Sequence, residues 1–228
     1  MCSSDLGQRC TAGCPQFVDE SLSVEFLELV TQEVTEKYRH GLPWDSGAKI
    51  LPPLDGQSNL EFYQKLISQA ESEGADVIAP FGKEIQNGVQ PPVILVFNDL
   101  NDALNADAVN EEIFGPIMVV VKVSDEMKPE VGEFLSELEF GHQLSYFGTA
   151  TEFEAYNISA EDVDRVHIGS VPSRGPDTLR FGNRKSSGND GPMSGIESVI
   201  RETESTVTNF KFKTEEDAIL FRDILYGE

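Results

Sequence analysis

Glu111-Glu112-Ile113-Phe114-Gly115-Pro116-Ile117-Met118-Val119-Val120-Val121 decides the fold of this chain. Two acids and an aromatic lead through a Gly-Pro turn into five apolar residues that do not alternate with polar ones. Gly and Pro fix such a turn, one by tolerating unusual φ and the other by pre-setting it. An unbroken apolar run reads as a strand buried on both faces, the mark of a largely parallel sheet covered by helices.

Working outward, Val93-Ile94-Leu95-Val96-Phe97 is a second run of the same kind, and Val77-Ile78-Ala79 a shorter strand. An amphipathic helix is predicted from about Asn59, with Leu60, Tyr63, Leu66, Ile67 and Ala70 inward and Gly74 as its C-terminal cap. Nearer the start, Gln16-Phe17-Val18 reads as a strand. Asp19 or Ser21 then caps a helix to about Tyr38 that places Leu22, Phe26, Leu29 and Val30 on one face. Beyond the central strands, helices are predicted over 130–138 and 160–165, with a strand at Val166-His167-Ile168. Residues 173–195, rich in Gly, Ser, Pro and Arg, form a long loop of the kind that is usually functional. Residues 206–212 alternate as a strand, and a helix over 214–226 closes the chain.

Composition narrows the partners. Acidic residues outnumber basic ones by 40 to 17, for a formal charge of −23. Nucleic acid, which needs clustered Lys and Arg, is excluded as an expected partner, and the acidic surface reads as a solubility feature. An apolar fraction of 39% with 14 Phe supplies a core. No apolar run reaches the roughly 18 residues of a membrane span, and no export leader is seen. The cysteines are Cys2, Cys10 and Cys14, and the histidines His40, His142 and His167 are scattered singly. Neither a disulfide framework nor a zinc site is expected, and the odd cysteine count suits a reducing, cytoplasmic compartment.

Near the start stands Gly7-Gln8-Arg9-Cys10-Thr11-Ala12, a Gly-Gln turn presenting a cysteine followed by small residues. This stretch resembles the nucleophile loop of the aldehyde dehydrogenases, and Glu111-Glu112-Ile113-Phe114-Gly115-Pro116 resembles their second signature. Phe181-Gly182-Asn183-Arg184-Lys185-Ser186-Ser187-Gly188 is similar to a further family loop, with Asn183 replacing a glycine. Arg9 and Arg174-Gly175-Pro176-Asp177 resemble the non-phosphorylating glyceraldehyde-3-phosphate dehydrogenases within that family.

The resemblance implies an α/β catalytic domain over 7–200, an oligomerisation strand over 201–213 and a C-terminal helix over 214–228. It implies Cys10 as the nucleophile that adds to an aldehyde, with its own backbone N–H as one oxyanion donor. It implies Glu112 and Phe114 at the nicotinamide side of NAD or NADP. If the subfamily likeness holds, Arg9 and Arg174 bind a substrate phosphate, for which guanidinium forks are suited. Each has a plainer alternative. A lone cysteine such as Cys10 or Cys14 is often a small buried hydrophobe. Glu112 is otherwise one of many surface acids and Phe114 a core residue, while Arg9 and Arg174 are loop-bracing arginines.

In that family a coenzyme-binding half, with the catalytic Glu, precedes the cysteine loop. No Gly-x-Gly-x-x-Gly pattern occurs in these 228 residues. The chain is therefore expected to be a catalytic-domain fragment, inactive alone, of a protein that forms a dimer or tetramer when complete. Met1-Cys2-Ser3-Ser4-Asp5-Leu6 does not resemble the family's approach to the loop and matches translated sequencing adapter, so it is expected to be a non-native leader. The alternative is a natural stand-alone half with weak thiol esterase activity, or a docking partner of a complete homologue, since an exposed strand edge over 206–212 invites pairing. Departures from the family pattern at His142-Gln143-Leu144-Ser145-Tyr146-Phe147 and Gly169-Ser170-Val171 bear on the substrate pocket more than on the thiol.

Overall fold

A computed structural model describes residues 7, 11–12, 15–39, 42, 44–48, 56–159, 161–173, 182, 184–185, 187, 207–210, 219–220 and 224. The chain divides into two compact units, Met1–Asp125 and Glu126–Glu228. That boundary falls inside the stretch 7–200.

In the first unit, β1 (Gln16–Asp19), β2 (Asp76–Ile78), β3 (Val93–Phe97) and β4 (Ile117–Val123) form one sheet in the order β1-β4-β3-β2. β4 runs parallel to both β1 and β3, whereas β2 is antiparallel to β3, so the sheet is mixed. The two unbroken apolar runs are its centre. Every residue of β3 is buried, and every residue of β4 except the half-buried Lys122. Ile94 and Val96 line up with Met118 and Val120 in register and pack on Phe26, Leu27 and Val30. Alternate residues such as Val93, Leu95, Val119 and Val121 point the other way and are just as buried.

Helix α1 (Glu20–Lys37) is capped by Asp19, whose Oδ1 accepts from the Ser21 amide at 3.0 Å. Phe26 and Val30 face the sheet as expected, but Leu22 and Leu29 do not. They are 58% and 55% exposed. The inward stripe runs through Ser23, Phe26, Leu27, Val30 and Val34. It begins at a buried serine whose Oγ donates to the Glu20 carbonyl at 2.8 Å. Choosing the largest apolar residues shifts the face by one position, because a small self-satisfied serine carries no hydrophobic signal.

Helix α2 (Gln57–Ser72) buries Leu60, Tyr63, Leu66, Ile67 and Ala70, all five as predicted. It closes with Ala75 N–H donating to the Ala70 carbonyl and Gly74 N–H to the Glu71 carbonyl. Gly74 holds φ of 96°. This paired ending, with glycine in the left-handed region, is the Schellman motif. Short helices α3 (Leu100–Leu104) and α4 (Asp107–Asn110) lead towards β4.

The second unit holds α5 (Lys128–Glu137), β5 (Phe140–Gly141), β6 (Gln143–Tyr146), α6 (Ala150–Glu154), β7 (Arg165–Ile168), β8 (Arg184–Lys185) and β9 (Val207–Phe210). β6, β7 and β9 form a parallel sheet in that order, and β5 pairs antiparallel with β8. One face carries Leu144, Tyr146, Val166 and Ile168, packed with Ala150 and Phe153. β9 thus finds a partner within its own chain, at one end of the strand order.

The helix predicted over 160–165 is not formed. Ser159 caps a turn instead, with its Oγ accepting from the Glu161 amide and its carbonyl from the Asp162 amide. The Asp164 and Arg165 amides then donate to the Gly141 and His142 carbonyls, drawing the chain into the sheet. A helix forms earlier, at α6, where Thr149 and Glu152 make a full capping box. The Thr-x-x-Glu spacing is its sequence sign. Of the closing helix, residues 219–220 and 224 are helical. No helix among the described residues is long and apolar enough to cross a membrane.

Candidate active site

The first unit brings the two signature stretches together. Residues 111–116 leave α4 in extended form at Glu111 and enter β4 through a bend. Glu112 is exposed, Ile113 is buried as an anchor, Phe114 is half-buried, and Gly115 and Pro116 are buried. The Pro116 carbonyl accepts from the Val93 amide at 3.0 Å, tying the bend to β3. Phe114 holds φ of 49°, a conformation few non-glycine residues adopt.

Gly115 lies against the ring of Tyr63, and a Cβ there would overlap that ring. The Tyr63 hydroxyl donates to the Phe114 carbonyl at 2.8 Å. On its other side the Gly115 carbonyl meets Gly7, at φ of 73°, so closely that a Cβ on Gly7 would overlap the oxygen. Glycine is thus required at 7 twice, by conformation and by space. The loop opening at Gly7 returns to described structure at Thr11, which is buried. Cys10 and Arg9 lie outside the described residues.

Glu112 and Phe114 therefore stand on a segment packed directly against the start of the cysteine loop. An exposed carboxylate is a hydrogen-bond acceptor for hydroxyl groups, and the half-buried ring two residues on offers a flat apolar face. Among the described residues no group of three or more His, Cys, Asp or Glu could hold a metal ion.

In the second unit Arg174 lies outside the described residues, but its neighbour Ser173 does not. The Ser173 carbonyl accepts from Arg165 Nη1 at 2.9 Å and, at a longer 3.4 Å, from Gln143 Nε2. His167 Nε2 lies 3.1 Å from Gln143 Oε1, which accepts when that nitrogen carries the proton. Asp164 Oδ2 accepts from the buried Gly182 amide at 3.1 Å. Lys185 Nζ donates to the Leu135 and Ser136 carbonyls, where a cation suits the C-terminus of α5. β7 thus carries Asp164 beside it and Arg165 and His167 within it, all buried, with Arg165 and Asp164 bonded to the backbone at Ser173 and Gly182.

Sequence reading missed Tyr63, Arg165 and Asp164 as site supports. Tyr63 was visible only as one more inward residue of α2. The available signal was its hydroxyl, since a buried tyrosine needs a hydrogen-bond partner. For Arg165 the signal was a charged residue next to a short apolar strand, which must be paired when buried.

The family model described as "Aldehyde dehydrogenase family" matches residues 2–208. The NADP-dependent glyceraldehyde-3-phosphate dehydrogenase of Streptococcus equinus is 30% identical over 203 residues, 89% of this chain and 39% of that protein. A betaine aldehyde dehydrogenase of Rhizobium etli (strain CIAT 652) is 32% identical over 193 residues, 80% of this chain and 36% of the other. Among solved structures, NADP-dependent glyceraldehyde-3-phosphate dehydrogenase from Bacillus halodurans C-125, complexed with NADP, is similar with a TM-score of 0.71. It is 28% identical, and the match covers 86% of this chain and 38% of that one. The chain therefore spans well under half the length of the curated relatives it matches.

Proposed function

This chain belongs to the aldehyde dehydrogenase family, and on that footing we propose that it carries the thiol chemistry of an NAD(P)-dependent oxidation of an aldehyde to a carboxylic acid. The observation that supports this most is the packing of Gly7 on Gly115. It sets Gly7, three residues before Cys10, beside the segment bearing Glu112 and Phe114.

Cys10 acts as its thiolate, adding to the aldehyde carbon to give a tetrahedral thiohemiacetal whose oxyanion is met by the Cys10 backbone N–H. Collapse of that adduct re-forms the carbonyl as a thioester and expels hydride. Bound NAD(P) supplies the acceptor for that hydride. Water then attacks the thioester, releasing the acid and returning the thiol. When that cofactor is bound, Glu112 would accept hydrogen bonds from its ribose hydroxyls, and Phe114 would hold its nicotinamide side. Arg9 and Arg174 take a phosphate on the substrate, a reading favoured by the names of the Streptococcus equinus and Bacillus halodurans relatives.

The general base and the dinucleotide-binding pattern of the family are not found in these 228 residues, so the chain as given is expected to form no NAD(P)H from any aldehyde. Robust turnover by it alone would break that expectation. With a relative's coenzyme-binding segment joined ahead of residue 7, NADPH formation is expected to depend on Cys10 and to vanish in Cys10→Ser. There, Arg174→Ala should raise KM for a phosphorylated aldehyde far more than for a neutral one. Turnover that survives Cys10→Ser would overturn the assignment.

A second reading concerns assembly. β9 ends the strand order of its sheet, and an edge strand can extend its sheet across to another chain. Homo-oligomer formation, or docking on a complete homologue, would use that edge.

A further inference from the structure

Tyr63 is fully buried in the middle of α2, and it acts on residues 114 and 115 at once. Its hydroxyl holds the Phe114 carbonyl at 2.8 Å. Its ring fills the space that any side chain at 115 would need, while the Gly115 carbonyl abuts Gly7. Tyr63, Gly115 and Gly7 therefore form a three-layer stack from the helix core to the mouth of the cysteine loop. Phe114 sits within that stack at φ of 49°. A non-glycine residue keeps such a conformation only when its surroundings over-determine it, and the Tyr63 hydrogen bond is one such restraint.

We propose that Tyr63 is a positioning residue for the thiol chemistry. Through Phe114 and Gly115 it sets where Gly7, three residues before Cys10, stands relative to Glu112 and Phe114. This rests on the reading of Cys10 as the nucleophile. Two reagents separate placement from mere reactivity. Alkylation by iodoacetamide needs only a thiolate that reagent can reach. Acylation by p-nitrophenyl acetate also passes through an oxyanion, so it depends on where the loop's backbone donor points.

The test uses the 228-residue chain with Cys2→Ser and Cys14→Ser, which leaves Cys10 as the single thiol. Tyr63→Phe keeps the ring against Gly115 and removes the bond to Phe114. The ratio of acylation to alkylation rate is expected to fall about tenfold, less than the loss for deleting an oxyanion donor outright. Tyr63→Leu, which removes the ring as well, should lower the ratio at least as far. Leu66→Ala, in the same buried face of α2, should reduce thermal stability yet leave the ratio where it was. An unchanged ratio in Tyr63→Phe, with Cys10 reactive in its parent, overturns the Tyr63 role alone. An equal fall in Leu66→Ala also overturns it, because the effect would then be general loosening. If the parent acylates no faster than its Cys10→Ser derivative, the nucleophile reading fails and takes this proposal with it.

Discussion

Two loops of this molecule are held in opposite ways. Residues 111–116 are fixed chiefly by shape, with the Tyr63 hydroxyl bonded to the Phe114 carbonyl: Tyr63, Gly115 and Gly7 touch so closely that neither glycine has room for a Cβ. The backbone at Ser173 and at Gly182 is held by polar groups, with Arg165 on the Ser173 carbonyl and Asp164 on the Gly182 amide. Shape tolerates no added atom but is indifferent to charge. A buried polar anchor tolerates changes of volume better, yet loses everything when one donor is removed and its partner stays buried.

The largest effect should come from forcing the shape. Gly7→Ala combines steric overlap with a disfavoured φ and is expected to cost about 4 kcal/mol, read as a shift in urea midpoint. A loss below about 1 kcal/mol would mean that the stack yields, and that shape is not what fixes this loop. Next comes the polar anchor. Arg165→Met roughly keeps the volume and deletes the donor to Ser173, so a loss of about 2 kcal/mol is expected. Amide exchange near residue 173 should rise while exchange around Gly115 stays slow. If both regions quicken together, the two modes of restraint are not separate. Thr149→Ala removes the capping box of α6, outside either loop, for about 1 kcal/mol. Smallest of all, Leu29→Gln on the outer face of α1 should change stability by about 0.5 kcal/mol or less. A larger loss would restore Leu29 to the core and undo the face assigned to that helix.

Much of the first unit was legible because its signals are local. β3 and β4 announce themselves by apolar runs without alternation, and α2 by five inward residues ending at Gly74. The face of α1 was misjudged because Ser23 settles its own hydroxyl on Glu20 and looks polar in sequence while being buried. The helix expected over 160–165 was lost because the Asp164 and Arg165 amides reach carbonyls of residues far earlier in the chain. No local pattern encodes that pairing. At the candidate site, only a motif singles out Glu112 and Phe114, since an exposed acid and a half-buried ring are commonplace. Tyr63 and Arg165 were legible only as polar groups that need a partner when buried, not as supports of these particular segments. Their partners are backbone carbonyls, which leave no trace in side-chain chemistry.

The central claim is that the loop packed on Gly115 presents Cys10 as a nucleophile. The direct measurement is competitive acylation of the unmodified chain by p-nitrophenyl acetate, with quenching and peptide mapping of Cys2, Cys10 and Cys14. Acetylation of Cys10 is expected to outrun that of the other two by about tenfold or more. Equal labelling of all three thiols, or faster labelling of Cys14, would contradict it.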